Sequence, residues 1–336
     1  MLIKKVTDLK TYAYLYMVLY STPTIVMKPT TLHITNGDNT TNLLQKTSID
    51  GAIITWREML CEGKTTIDVG SESFWKSRFD YLANTYKITK KHFIDFTVKE
   101  FRNLCHYKTQ KEIVLWFDAD LFCQINMIAV ISWLKKHKPE TKISLVCPKT
   151  KMTNTPKNIS DLTQKQLLTH YSNRINLSVD DIQYADYVWQ LYCSESPLQL
   201  QNIAITPHQT FVYLPKAIKE HLQRFPTIKN GLNKVENTIL DTVATKEYSS
   251  KKKLISQLLK TQGIYGFGDI QYERKINELK GLFKSFTPTL LNELGYDVLQ
   301  KHQNYYHSIK SDYSFLGGTL KYRYLYNEID GKLLKL

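Results

Sequence analysis

Residues 113–126 read IVLWFDADLFCQIN, an apolar run closed by two aspartates one residue apart and followed by a second apolar run. With Glu112 ahead of it, the first run, EIVLWF (112–117), has the length and the β-branched and aromatic content of a strand buried on both faces. The second, LFCQINMIAVISWLKKH (121–137), is too long for a strand and predicts an amphipathic helix with a basic last turn. A buried strand that passes through Asp118 and Asp120 into a helix is the joint of a βα unit.

The same punctuation recurs on either side. LHIT (32–35) ends in NGD and leads into the helical stretch TTNLLQKT, and GAIITW (51–56) leads into REMLCEG. Across 72–107, Phe74, Trp75, Phe79, Tyr81, Leu82, Phe93, Phe96, Phe101 and Leu104 recur at helical spacing, and KISLVC (142–147) reads as a further strand. Strands alternating with helices predict an α/β fold: an N-terminal, mainly parallel, Rossmann-like sheet with helices on both faces, whose ligands sit at the carboxyl ends of the strands.

After the polar linker PKTKMTNTPKN (148–158) the strand signals stop. DLTQKQLLTHYS is expected to be a helix with Asp161 as its N-cap, SVDDIQYADYVWQLY one with Ser178 or Asp180 in that role, and LPKAIKEHLQRFP one stopped by Pro226. Three short helices follow in GLNKVENTILDTVAT, SSKKKLISQLLKTQ and FGDIQYERKINELKGLFKS, then a hairpin around SFLGGTLKYRYLY, an order compatible with a winged helix. The chain therefore divides into an extension at 1–27, an α/β domain at 28–150, a helical region at 151–228 and a winged-helix-like domain at 229–336. The extension has too weak an apolar stretch for a signal peptide and too short a one for a membrane span, and Met27 is an alternative start.

Composition narrows the function classes. The formal charge is +14, but the cationic excess is spread as five, four and five over residues 1–110, 111–230 and 231–336. Of the 45 cations only seven are Arg, the residue suited to bidentate base and phosphate recognition, so a solvated lysine surface explains the charge better than a nucleic-acid face. The five cysteines are scattered, with no C-x-x-C pair and no zinc-finger spacing, which suits a reducing compartment, cytoplasm by default, and excludes a disulfide scaffold. No metal-ligand motif and no cofactor signature is present, and nothing marks a membrane partner.

The candidate site residues cluster at the strand ends. Asn36, Gly37 and Asp38 form a strand-to-helix turn that presents backbone N–H groups to an anion, or merely caps the helix. His33, on the strand before them, is a candidate general base or a packed core histidine. Trp56, Arg57 and Glu58 pair a guanidinium with a carboxylate, either as an anion clamp or as an internal ion pair. Asp118 and Asp120 offer paired carboxylates for Mg²⁺ or acid–base work, or an ordinary acidic helix start, with Gln124 one turn on. In the C-terminal part Gln271, Tyr272, Arg274, Lys275 and Asn277 could touch DNA, against the opposing charge of Asp269, Glu273 and Glu278.

Six segments carry a resemblance: LHITNGD (32–38), TWREMLCEG (55–63), IVLWFDADLFCQIN (113–126), HLQRFPTIKNGLNKVENTIL (221–240), GFGDIQYERKINEL (266–279) and LGG (316–318). In this order they resemble the domain of unknown function 1835 family, whose members are described as uncharacterised and in part carry names borrowed from RNA polymerase sigma factors. Glu58 stands where relatives have Asp, and Lys64 where a proline commonly follows the glycine. Two functions follow as expectations. One is a regulatory or adaptor protein whose α/β domain binds a small anionic ligand, a nucleotide included, and whose C-terminal domain binds DNA or a protein. The other is a metal-assisted hydrolase or transferase acting on a phosphorylated or nucleotide substrate through Asp118, Asp120, Glu58 and Asp38.

Overall fold

A computed structural model describes residues 30–148 and 158–336; the extension at 1–27 and nearly all of the linker lie outside them. Its centre is a five-stranded sheet built from β1 (Thr31–Asn36), β2 (Ala52–Trp56), β4 (Glu112–Trp116), β5 (Lys142–Val146) and β6 (Ile175–Asn176), in the order β2-β1-β4-β5-β6. The first four are mutually parallel and β6 adds antiparallel at the edge. The chain winds outward from β1 to β2 and then returns to place β4 on the other side, so the topological switch lies between the ends of β1 and β4. The edge strand β6 was not expected from the sequence; two residues are too few to show any periodicity.

Both sheet faces are covered, which is why the strands read as near-continuous apolar runs. On one face Val114, Trp116 and Val146 pack with Leu44 of α1 (Asp38–Leu44) and Leu167 of α6 (Gln164–Ser172). On the other, Leu32, Ile34, Leu115 and Leu145 pack into a core that includes α5 (Leu121–His137) and α7 (Val179–Tyr192). That core continues without a break into the C-terminal helices, to Leu258, Ile276 and Leu333. The amphipathic expectation for α5 is corrected: every residue from Leu121 to Leu134 except Phe122 is buried, because the sheet covers one side and the later helices cover the other.

Caps set the helix starts. Thr163, not Asp161, caps α6 through a reciprocal pair with Gln166, while Asp161 closes a 3₁₀ turn. Ser178 caps α7 in the same way with Asp181. Helices α2 (Glu72–Tyr86), α3 (Lys90–Phe93) and α4 (Lys99–His106), the last two joined by a π-helical segment, fill the predicted helical stretch between β2 and β4.

Beyond α8 (Leu200–Ile205) and α9 (Leu214–Leu222) come α10 (Lys234–Thr245), α11 (Lys251–Thr261) and α12 (Asp269–Glu278), then the hairpin β7 (Phe283–Phe286) and β8 (Thr289–Leu291). Tyr248, between α10 and α11, bridges antiparallel to Thr289 of that hairpin. After α13 (Glu293–Leu299) and α14 (Tyr306–Ile309), strand β9 (Phe315–Gly317) pairs antiparallel with β10 (Thr319–Leu320) and parallel with β3 (Gly63–Lys64) of the N-terminal part. The last two strands, Tyr324–Asn327 and Lys332–Lys335, form a separate hairpin. No helix among the described residues is long and apolar enough to cross a membrane.

Candidate functional site

The strand ends where a ligand is expected are occupied by the protein itself. At the switch between β1 and β4, the Asn126 amide donates to Asn36 Oδ1 at 2.8 Å and to the Glu58 carbonyl at 2.5 Å, and its own Oδ1 accepts from the Leu60 N–H at 3.1 Å. The first N–H groups of α5, the helix that follows Asp120, donate to the carbonyls of Ile264 (2.6 Å) and Tyr265 (3.3 Å) in the loop between α11 and α12. Donors that would meet a phosphate are thus satisfied by carbonyls. Gly266 of that loop lies against Asp120, so closely that a Cβ there would sit 2.2 Å from Oδ1.

His33 is fully buried and both its nitrogens are engaged: Nδ1 accepts from the Trp116 indole N–H at 3.1 Å, and Nε2 lies 3.1 Å from the Asp50 carbonyl as donor. Burial holds its pKa below the usual histidine value. It is therefore a neutral core residue, which corrects its candidacy as a general base. Asp38 is bound by Arg57 through Nη2 at 2.7 Å and Nε at 3.1 Å, while Arg57 Nη1 donates to the Phe96 carbonyl. The hydrogen bond from Arg57 lowers the Asp38 pKa. Arg57 is thus in an ion pair with Asp38 and not, as expected, with the adjacent Glu58. Gly37 caps the seven-residue α1 at a φ of 92°, and Trp56 is core.

Glu58 accepts from Arg78 Nε at 2.9 Å, both side chains being buried. The other Arg78 donors reach the carbonyls of Met59, Glu62 and Lys64 and so fix the whole loop after β2. Asp118, Asp120, Glu58 and Asp38 consequently do not converge on one metal or substrate, which corrects the four-acid set; Asp38 and Glu58 are each held by an arginine. Asp118 and Asp120, the pair of carboxylates expected to suit Mg²⁺, do come together with Cys123, their ligand atoms within 4.8 Å of one another. Asp118 accepts from the Ile159 N–H at 2.7 Å, Asp120 caps α5 through the Cys123 N–H at 2.8 Å, and Gln124 donates to the Asp118 carbonyl. Burial and then the charge of Asp120 push the Asp118 carboxyl up to about 7.

The large open space lies elsewhere, between α2 and β3 on one wall and α10, α12 and the segment 308–322 on the other, a cleft of about 1050 Å³. At its floor Glu62, buried, gathers three cations: Arg274 Nη2 at 3.1 Å, Lys275 Nζ at 3.6 Å and Arg224 Nη2 at 3.8 Å from Oε1. Its Oε2 accepts from Tyr86 and, at 3.2 Å, from Tyr81. Burial opposes ionisation, but Arg274, Lys275, Arg224 and the Tyr86 hydrogen bond outweigh it and hold the carboxyl far below its usual range. Nearby, Lys321 donates to buried Glu236 at 2.9 Å. At the mouth, exposed Lys76 has no acidic partner within ion-pair distance among the described residues, and Lys64 lies 4.9 Å over the Phe315 ring. Six cationic and four acidic side chains line the cleft.

The proposed nucleic-acid residues of α12 are corrected by the same packing. Gln271, Tyr272 and Lys275 are buried, and Arg274 is spent on Glu62, Glu278 and Tyr86. The exposed residues of this helix are Asp269, Ile270, Glu273, Asn277 and Glu278, a surface that repels phosphate. Glu62 and Arg224 were missed because an isolated charge pattern does not announce a partner more than 150 residues away, and Arg78 because its partner Glu58 lies in another element, 20 residues earlier. Glu62 and Arg224 do stand inside segments singled out by motif, TWREMLCEG and HLQRFPTIKNGLNKVENTIL.

No protein-family model matches the chain, and no curated protein matches it. Among solved structures, the DNA-binding, cleavage and re-ligation domain of Plasmodium falciparum topoisomerase II aligns at 12% identity and a TM-score of 0.42, covering 74% of this chain and 41% of that one. A likeness that slight carries no functional argument.

Proposed function

We propose that the chain is a regulatory or adaptor protein that binds a phosphate-bearing small molecule, of the nucleotide class, in the cleft between its α/β part and its C-terminal part. The observation that carries this reading is the placement, in one cleft, of exposed Lys76 and Lys64, neither in an ion pair with a described residue, beside the rings of Tyr81, Tyr322 and Phe315. Lysines supply charge for phosphate, and aromatic faces supply stacking for a ring. A ligand that touches both walls binds the closed arrangement better than any open one, which is the requirement for a ligand to act as a switch.

The C-terminal part is read as a winged-helix unit, supported by the order helix, bridge at Tyr248, helix, helix, hairpin. With the inward face of α12 packed and its outward face acidic, the partner of this unit is a protein in our reading, not DNA. The motif resemblance to the domain of unknown function 1835 family belongs to the same proposal.

A thermal-shift series with nucleotides and sugar phosphates tests the site. The shift should appear in the wild type, persist in Asp118→Asn and Arg57→Ala, and vanish when Lys64 and Lys76 are both replaced by Ala. Loss in Asp118→Asn with retention in the double lysine variant would move the site back to the strand ends. Salt-sensitive binding to duplex DNA would overturn the choice of a protein partner.

A further inference from the structure

Lys275 is an unusual lysine by its surroundings. It reaches the cleft floor from near the C-terminal end of α12, its residue is only 5% exposed, and its Nζ lies 3.6 Å from Glu62 Oε1 and 5.5 Å from the Phe267 ring centre. It donates no hydrogen bond to any described residue, although an ammonium carries three donors. Arg274 and Arg224 are permanently charged and already share the one carboxylate, so a third full positive charge at this spot is opposed by two like neighbours. The remaining charged groups near it are Glu278 and Glu236, and these are held by Arg274 and Lys321 respectively. Burial first, and then repulsion from Arg274 and Arg224 against the attraction of Glu62, bring its pKa down to about 8.

We propose that Lys275 is a nucleophilic lysine that forms an imine with a carbonyl compound carrying a phosphate or carboxylate group. The inference rests on the anionic-ligand reading of the cleft and adds the reacting atom. The Nζ lone pair adds to the carbonyl carbon and a C–N bond forms, while the carbonyl oxygen takes up a proton to give a carbinolamine. Loss of that oxygen as water, both of its hydrogens ultimately coming from the amine, leaves the C=N bond. Solvent relays the two protons that Nζ sheds to the departing oxygen, while Glu62, held as the anion 3.6 Å away, stabilises the positive charge on the nitrogen. Lys64 and Lys76 at the mouth hold the anionic group, which orients the carbonyl toward the floor.

Pyridoxal 5′-phosphate, an aldehyde bearing a phosphate, is a suitable probe on the full chain. After borohydride reduction, peptide mass spectrometry of the wild-type protein should find Lys275 as the predominant modified residue, saturably and in competition with inorganic phosphate. Lys275→Met, which keeps most of the length without the charge, should remove that label while leaving the melting temperature close to wild type. Labelling spread over the exposed lysines in proportion to their number overturns the proposal, and because it is read on the wild type it does not depend on any variant folding. A parallel shift assay with pyridoxine 5′-phosphate, which lacks the carbonyl, separates the two readings. Binding lost in the Lys64/Lys76 variant but no label at Lys275 refutes the nucleophile and leaves the anion site standing. Neither binding nor label refutes both.

Discussion

Asp120, the cap of the helix that follows the central strand, is packed directly against the backbone of Gly266, more than 140 residues later in the chain. This contact closes the crevice that an open α/β sheet ordinarily leaves for its ligand. Gly266 has a φ of 68° and would bring a Cβ to 2.2 Å from Asp120 Oδ1. Gly266→Ala should therefore destabilise by roughly 2–3 kcal/mol, combining left-handed strain with overpacking. Urea denaturation measures it; an effect within the error of the wild type would show that the loop yields freely and that the crevice can open.

Glu62 neutralises three cations from more than 150 residues later in the chain, Arg224 and Lys275 buried and Arg274 half-buried. Glu62→Gln preserves shape but leaves those charges without their counter-ion, and the expected loss is roughly 3–5 kcal/mol. Chemical denaturation with and without high phosphate checks the cause, since bound anion should restore part of the loss.

The carboxyl of Asp118 is raised to about 7 in the folded chain, above its ordinary unfolded value. A raised acid contributes stability that is full below the unfolded pKa and is lost as pH climbs through the folded one. Relative to Asp118→Asn, which keeps the oxygen that accepts from the Ile159 N–H, the wild type should lose stability between pH ~4 and ~7. Parallel melting curves over that window suffice. A gap in the opposite direction would mean that Asp118 is stabilised as the anion.

Asp38 and Arg57 make a well-formed but open ion pair, with side chains 60% and 27% exposed. Screening by water limits such pairs to about 1 kcal/mol or less. A double-mutant cycle on Asp38→Asn and Arg57→Ala should return a coupling in that range, falling with added salt; a coupling of several kcal/mol would contradict the exposure.

Much of the site was present in the sequence as residue types but not as pairings. Gln124 and Asn126 lie in a helix expected to be amphipathic, yet both are buried and spend their amides on neighbouring backbone or on Asn36. Asp161 looked like a cap because it precedes a helix, but Thr163 sits two residues nearer and finds Gln166 for a reciprocal bond. His33 was weighed between base and core, and only the positions of Trp116 and Asp50 decide it. Lys275 was singled out for the wrong role, as a DNA contact on a helix whose exposed side was assumed.

The alternation of apolar strands and helices from Thr31 to Val146 determined a mainly parallel sheet covered on both faces, since only such a sheet buries runs like IVLWF on two sides at once. Local signals such as Ser178 and Asp180 ahead of an apolar run located a helix start to within two residues, because a cap bond spans only three. Whether the polar strand ends open to a ligand was decided by the tertiary structure alone. The groups that close them, Gly266 and the carbonyls of Ile264 and Tyr265, and the cations that converge on Glu62, arrive from the last third of the chain. Charge pairing and desolvation depend on distance in space, and distance along the sequence does not report it.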